Sequence, residues 1–516
     1  MSQMLKSSGA MAVATMVSRV LGLVREIVYA AFLGVGWIAD AFFTAFMIPN
    51  LFRRLLGEGA LTAAFIPAFK EKEKLEGEGE MWRAANAVIS GLLVAAAAVV
   101  VLAVIGISIA LAVGVSKPKT LLMLQLLRVM APYILFVCVA AILIGILNAR
   151  GHFFIPAFSS ALLNLVMIAS VLWLAPYMGL RLEQQIFGLA IGVLIAGVVQ
   201  ALFQLPLLTK EGFRYRWISP WSNETVRRVV KQMVPGTIGV AAFQINIAIT
   251  YGFSFWVADD IISSFNYAVR LMELPQGVFG VSLATYLLPT LSGLAAEKKY
   301  PEFRSTLGQG LGYVFFVNLL ASVVLLVLAE PTIRLLFERG RFDAQDTSRA
   351  AVALVWLAPG LVAFSMVNIL ARAFYALGDL KTPMMIGVFC LAVNAVLAIA
   401  LVWQFRQAGL AAANSATSLI NVGLLLFALR KKLAKLELAE LWRHVPGLFG
   451  AAVLAAAAAW CVLRPWTTRL GYNTFVLQLG QTALPMLAAT AVYFAVSFWL
   501  KVPYTRDVLA LLRRRR

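Results

Sequence analysis

Six arginines stand in, or at the ends of, apolar stretches long enough to cross a bilayer: Arg19, Arg25, Arg53, Arg54, Arg270 and Arg372. An arginine at the centre of a membrane helix costs roughly 2.5–3.5 kcal/mol on insertion scales. A chain keeps one there only where the guanidinium faces protein or water. The guanidinium is a planar fork of N–H donors that satisfies phosphate or carboxylate oxygens in pairs. The same stretches hold the carboxylates Glu26, Asp40, Glu58 and Glu273, so the six arginines keep an excess of two positive charges. An anionic cargo would supply the balance, and the set reads as a transport path for a negatively charged ligand.

Spacing sorts these residues. On a helix turning 100° per residue, Ser18 and Arg25 share one stripe, and Arg19 and Glu26 share the next. Gly22 lies between them and lets backbone or ligand come close. Arg25 and Glu26 are chain neighbours pointing about 100° apart, so they are expected to neutralise each other poorly. Arg19 has a competing structural reading, as the partner of a carboxylate on another helix such as Asp40. Arg53 and Arg54, with Glu58 beyond them, interrupt an apolar run that continues to Phe69. They are either part of a site or a positive anchor at the membrane surface. Arg270 and Glu273 stand three apart and can satisfy each other, yet Pro275 follows at once and frees backbone groups that a cavity can use. Arg372 can snorkel to the headgroups and is the least telling of the six.

Enzymatic chemistry finds no footing. His152 and His444 are the only histidines, both in or beside predicted loops and outside any metal-ligand spacing. There is no Walker-type Gly-rich loop, and no cofactor or metal is called for. Cys138, Cys390 and Cys461 are scattered singly in apolar surroundings and read as buried structural thiols.

The elements that carry these residues must be membrane helices. Of the 516 residues, 61% are hydrophobic and 13% charged, with a mean hydropathy of +0.86, against about 25% charged in soluble domains. Apolar runs of about 20 residues recur throughout, as spanning helices need, whereas a β-barrel would alternate over about 10. About fourteen helices are expected, over 10–33, 38–69, 85–113, 129–147, 155–174, 186–208, 230–256, 262–292, 308–329, 350–375, 383–403, 409–429, 445–463 and 478–500. The second and eighth exceed one straight crossing and are interrupted, at Pro49-Asn50 and Pro275-Gln276-Gly277, where bending is expected.

The expected organisation is a lobe over 1–208, a basic cytoplasmic link over 209–231, a second lobe over 232–430, and two added helices with a basic tail over 431–516. A weak internal echo supports two six-helix lobes of one topology. Phe43 and Pro67 are separated as Phe265 and Pro289 are, and Leu147–Gly151 leads to Pro156 as Phe374–Gly378 leads to Pro383. The net charge of +20 belongs to the loops. With both termini in the cytoplasm, 27 of the 44 Lys and Arg fall on that side and 11 on the other, the remaining 6 being the arginines above. That is the positive-inside pattern, with attraction to anionic headgroups added, and it requires no nucleic acid. The first span reads as a retained helix, since only Lys6 precedes it and no small-residue cleavage site follows.

Several motifs carry a resemblance. They are Ser18-Arg-Val-Leu-Gly-Leu-Val-Arg25, Ala39-Asp-Ala-Phe-Phe43, Pro49-Asn-Leu-Phe-Arg-Arg54, Gly57-Glu-Gly-Ala60, Arg270-Leu-Met-Glu-Leu-Pro275 and Gly378-Asp-Leu-Lys-Thr-Pro383. Together they resemble the MurJ (MviN) family of lipid II flippases, and the likeness runs over essentially the whole chain. It implies an all-α fold of the MOP exporter superfamily, MATE-like, with two lobes around a central cationic cavity. The cargo it implies is lipid II, undecaprenyl-diphosphate bearing the disaccharide-pentapeptide of peptidoglycan, carried to the outer leaflet of the bacterial inner membrane by alternating access. The positions matching the family's functional residues are Ser18, Arg19, Arg25, Glu26, Asp40, Arg53, Arg54, Glu58, Asn164, Arg270 and Glu273. The extra helix pair would hold the polyprenyl tail. Membrane lipids and other cell-wall synthesis proteins are the further partners it implies, with a monomer expected.

Two departures stand out. Many members carry an acid immediately before the helix 8 arginine, where this chain has Val269. Some bind sodium through carboxylates of helices 7 and 11, where this chain offers Gln244, Asn246 and Asn394. Competing readings are a flippase for another polyprenyl-linked sugar, a multidrug antiporter of the same superfamily, and a membrane glycosyltransferase. The antiporter would want acids where this chain has arginines, and the glycosyltransferase a sizeable catalytic loop.

Overall fold

The computed structural model describes residues 2–53, 61–221 and 223–505, with side chains described except at 2–12, 61–63 and 234–247. Every regular element among the described residues is helical. A helix satisfies its own N–H and C=O groups where there is no water to do so. The chain divides into two compact units, Met1–Asp260 and Ile261–Arg516.

The first unit holds α1 (Ser2–Leu33), α2 (Trp37–Phe52), α3 (Leu61–Glu76), α4 (Glu78–Val113), α5 (Pro118–Met130), α6 (Tyr133–Ala149), α7 (Phe154–Tyr177), α8 (Leu182–Lys210) and α9 (Glu224–Val257). One of its hydrophobic cores lies where α3, α4, α6 and α8 meet, around Phe65, Phe69, Met81, Ile142, Leu147 and Leu208. α1 packs along α7, which packs in turn on α8. Close approach of α7 and α8 depends on two glycines. A Cβ on Gly188 would meet the Ala175 backbone, and one on Gly192 would meet the Ser170 side chain, where α7 widens into a π-turn over Ser170–Leu174.

The second unit holds α10 (Ile261–Ala296), α11 (Tyr300–Val327), α12 (Ala329–Phe337), α13 (Ala344–Leu357), α14 (Gly360–Ala376), α15 (Lys381–Leu433), α16 (Ala439–Arg469) and α17 (Phe475–Trp499). The interruption expected after Pro275 takes the form of a π-turn, Gln276–Val281, inside the continuous α10. α16 and α17 lie together through small residues, Ala451, Ala455, Ala459 and Ala489, which let helix backbones approach closely in lipid. The pair is fixed to α11 by Tyr493, whose hydroxyl donates to the Phe316 carbonyl at 2.9 Å.

α15 is two helices in one. At 53 residues it would reach about 80 Å if straight, against a hydrocarbon core of about 30 Å. Arg406 breaks it, with φ 51° and ψ −129°. Beyond the break the Leu401 carbonyl lies against Gly409, leaving no room for a Cβ there, although eight residues of straight helix would hold the two about 12 Å apart. The two ends of α15 are also joined, Lys432 Nζ donating to Asp379 Oδ2 at 2.7 Å. The helix doubles back on itself.

Asp379 also accepts from the Thr382 N–H at 3.0 Å and the Thr382 hydroxyl at 2.8 Å. Lys432 first, and the Thr382 N–H after it, lower its carboxyl pKa to about 2. A carboxylate whose folded pKa is depressed stabilises the fold above its unfolded pKa, and that stability is lost as pH falls toward the folded value. Asp379→Asn is therefore expected to cost about 2 kcal/mol at neutral pH. Paired denaturation curves of wild type and variant should converge between pH 4 and pH 2.

The fourteen spans expected from sequence are not reproduced as a count. Among the described residues, 8 helices are long and apolar enough to cross a membrane, or up to 10 if α5 with α6 (bent 44°) and α13 with α14 (bent 49°) each make one span. The difference lies in α1, α9 and the α2–α3 region, which contain or flank undescribed stretches, and in α15, which counts once but holds two arms. Cys138 and Cys390 are buried as expected, whereas Cys461 is exposed on α16.

Candidate functional site

The packing of α1 on α7 creates one cluster of the residues singled out above. Asn164 of α7 is buried against α1. Its Nδ2 donates to the Ser18 carbonyl at 3.0 Å, and its Oδ1 accepts from Arg25 Nη1 at 3.0 Å. One side-chain amide thus spans the seven residues from Ser18 to Arg25, which is two helical turns. Gly22 lies beneath it, and a Cβ added there would sit 3.6 Å from Asn164 Nδ2. A methyl would fit, and a longer side chain would lift the amide away.

Arg25 Nη2 donates to Glu26 Oε1 at 2.5 Å, with the two side chains 14% and 3% exposed. This corrects the expectation that these neighbours neutralise each other poorly. Their Cβ atoms diverge, but the arginine is long enough to fold back across the helix face, where Asn164 fixes its other terminal nitrogen. The guanidinium carbon stands 5.5 Å from the centroid of the buried Tyr29 ring, and Tyr29 packs edge-on against Phe42 of α2 at 5.9 Å. The fork is held by an amide, a carboxylate and a ring. Its Nε has no hydrogen-bond partner among the described residues, so a donor remains for an incoming oxygen.

The other predicted residues are distributed as follows. Arg19 is exposed on α1, and the suggested pairing with Asp40 is not made. Asp40, fully buried, instead accepts from Lys119 Nζ at 3.2 Å. Lys119 also donates to the carbonyls of Phe255 (3.0 Å) and Ala258 (2.9 Å) and pairs with Asp259 at 3.3 Å, fastening the starts of α2 and α5 to the end of α9. Arg53 Nε donates to Asn50 Oδ1 at 2.8 Å at the end of α2. Arg54 and Glu58, like the side chains of Gln244 and Asn246, lie outside the described residues. In the second unit Arg270 and Glu273 meet at 2.8 Å, 34% and 46% exposed, and Arg372 is half-buried on α14.

Lys119 and Tyr29 were missed from sequence. Lys119 was counted as loop charge; the signal available was Asp40 itself, a carboxylate in an apolar run that needs a cation. A second network, at the helix ends, was also unforeseen. Arg150 joins Glu73 (2.5 Å) and Glu211 (2.8 Å), and Glu211 also meets His152 at 2.8 Å. Glu211 is held below the usual carboxylate range by His152 and then Arg150.

Spanning helices in two compact units, with an arginine fork held by amide and carboxylate inside one of them, define a multi-pass membrane protein with a buried cationic cluster. The profile of the family described as Lipid II flippase MurJ matches residues 29–480. The chain belongs to that family. A protein from Burkholderia cenocepacia named Lipid II flippase MurJ is 33% identical over 515 residues, covering 97% of each chain. A MurJ relative from Vibrio cholerae is 35% identical over 436 residues, 82% of each. Among solved structures, a lipid II flippase MurJ in an inward closed conformation aligns with TM-score 0.75 and 25% identity, over 94% of this chain and 98% of that one. An inward-facing MATE family multidrug transporter aligns with TM-score 0.67 at 15% identity, over 82% and 98%, which is a likeness of fold.

Proposed function

We propose that this chain flips lipid II from the cytoplasmic to the outer leaflet of the bacterial inner membrane, serving peptidoglycan synthesis. Family membership supports the cargo. The observation that carries the mechanism is the Arg25 fork. A diphosphate cannot cross hydrocarbon unpaired, and a guanidinium pre-oriented by Asn164 and Glu26, with its Nε uncommitted, offers paired donors to phosphate oxygens. Exposed Arg19, six residues earlier on α1, adds a second cation, and Ser18 lies beside it. Arg53, Arg54 and Glu58 are proposed as further contacts for the sugar–peptide headgroup, and Arg270 and Glu273 of the second unit as cargo contacts in their own right. Asp40 is assigned to holding α2 in place through Lys119. Both termini are proposed to be cytoplasmic and the protein to act as a monomer.

A cation exporter of the same fold is less well served, because Glu26, the acid beside the fork, is already engaged by Arg25. The test is exposure of labelled lipid II on the outer leaflet of cells depleted of their own flippase and complemented with this chain. Restored exposure is the expected result. Its absence, at normal membrane expression, would transfer the chain to another polyprenyl-linked sugar.

A further inference from the structure

An arginine that receives a phosphate has to meet two demands. Before the ligand arrives its N–H groups must be satisfied by protein, and when it arrives some of them must be handed over. Arg25 Nη1 donates to Asn164 Oδ1 at 3.0 Å and Nη2 to Glu26 Oε1 at 2.5 Å, while Nε has no partner among the described residues. A phosphate gripping the fork in bidentate fashion takes two N–H groups on different nitrogens. At least one of the two bonds to protein is therefore exposed to exchange. A guanidinium released from them swings on a flexible stem unless something holds it that spends no donor.

The Tyr29 ring meets that requirement. It stands four residues after Arg25, on the same face of α1, and the guanidinium carbon lies over it, 5.5 Å from its centroid. The attraction is between a cation and the negative face of a ring. It uses none of the N–H groups, so it survives when their partners change. Burial strengthens it, Tyr29 being 3% exposed and the Arg25 side chain 14%. Nor can the ring turn aside. Phe42 of α2 meets it edge-on at 5.9 Å, and Phe46 stacks on Phe42 at 6.1 Å with the planes 4° apart. Phe46 leans on Tyr133 of α6 at 6.4 Å. Tyr133 is seated on Gly197 of α8, where an added Cβ would come within 2.7 Å of its ring. A column of rings from three further helices thus backs Tyr29, and Tyr29 backs one guanidinium.

We infer that Tyr29 is the positioning residue of the Arg25 fork. Its face keeps the guanidinium in place while a phosphate oxygen of the cargo replaces Asn164 or Glu26 as acceptor. The assignment rests on the reading of Arg25 as the cargo site. An aliphatic side chain of similar bulk would fill the space but hold nothing once the hydrogen bonds open. The cargo would then have to order the arginine as well as bind it, which weakens binding without altering the contacts made.

Two measurements on the full chain in detergent test it. The first is titration with undecaprenyl diphosphate, with bound states read by native mass spectrometry. Tyr29→Leu is expected to bind about tenfold more weakly than the wild type, the scale of one buried cation–ring contact. Tyr29→Phe keeps the ring and is expected to stay within about twofold. The second is thermal unfolding without cargo, arranged as a double-mutant cycle with Arg25→Ala. Tyr29→Leu is expected to lower the melting temperature of the wild type by several degrees more than that of the Arg25→Ala protein. A tyrosine that only fills space would destabilise both backgrounds alike, so equal shifts overturn the contact whatever the cargo is. Binding lost as heavily in Tyr29→Phe as in Tyr29→Leu overturns the ring as the holding group. Wild type that ignores undecaprenyl diphosphate, in a cycle that still shows coupling, overturns the cargo half of the proposal and the reading of Arg25 beneath it.

Discussion

Arg25→Ala is expected to reduce outer-leaflet lipid II to the level of flippase-depleted cells while the protein still reaches the membrane. Each charge-assisted hydrogen bond lost to the cargo is worth about 1.5–3 kcal/mol. Two such bonds on one phosphate amount to a factor of at least about a hundred in binding. Arg25→Lys is expected to fail almost as badly, because an ammonium is a single point of charge and cannot reproduce the fork. The alanine change also takes the Arg25 bond away from Glu26, which is 3% exposed. Arg25→Ala with Glu26→Gln separates the two effects, since the double variant should recover expression and remain inactive. A normally exposed lipid II signal from well-expressed Arg25→Ala would remove this site from the mechanism.

The second large effect concerns stability. Lys119→Met is expected to cost about 3–5 kcal/mol, the usual penalty for removing one partner of a buried ion pair. Asp40 has no exposure to solvent, so it cannot rehydrate in place. Total stability for a folded chain is about 5–15 kcal/mol, so the single variant should melt early in detergent and accumulate poorly. Removing both charges, Asp40→Asn with Lys119→Met, is expected to restore most of the loss, because replacing a whole buried pair is often nearly neutral. Thermal unfolding of the two variants side by side decides it. A double variant as unstable as the single one would show that the carbonyls of Phe255 and Ala258, rather than Asp40, are what Lys119 serves.

The sequence made the helical class readable because lipid admits few alternatives to it, and apolar runs state that requirement directly. Ser18, Gly22 and Arg25 were readable as one stripe because helical periodicity is local. What lay beyond reach were contacts decided by side-chain length and by helices distant in the chain. The Arg25–Glu26 bond runs against the divergence of their Cβ atoms, and only the position of Asn164 makes the fold-back favourable. Lys119 sits among residues that look like a loop, and nothing nearby in sequence announces that α9 will close over it. The hold of α4 on the extended segment 213–221 was out of reach for a related reason. Its Pro, Trp and Arg content is that of a linker, while the groups that pin it, Asn86 and Ser90, lie over a hundred residues upstream.

The reversal at Arg406 bears on how the protein is made. Its two arms are separated by a single non-helical residue, so only the short run Gln404–Gln407 lies between them for the insertion machinery to export or retain. The first arm cannot settle across the bilayer as an independent stop before the second emerges. Both have to partition from the translocon as one hairpin, with exposed Trp403 and Arg406 arresting its tip at the headgroups. A polar tag spliced in at the tip would convert that single event into two.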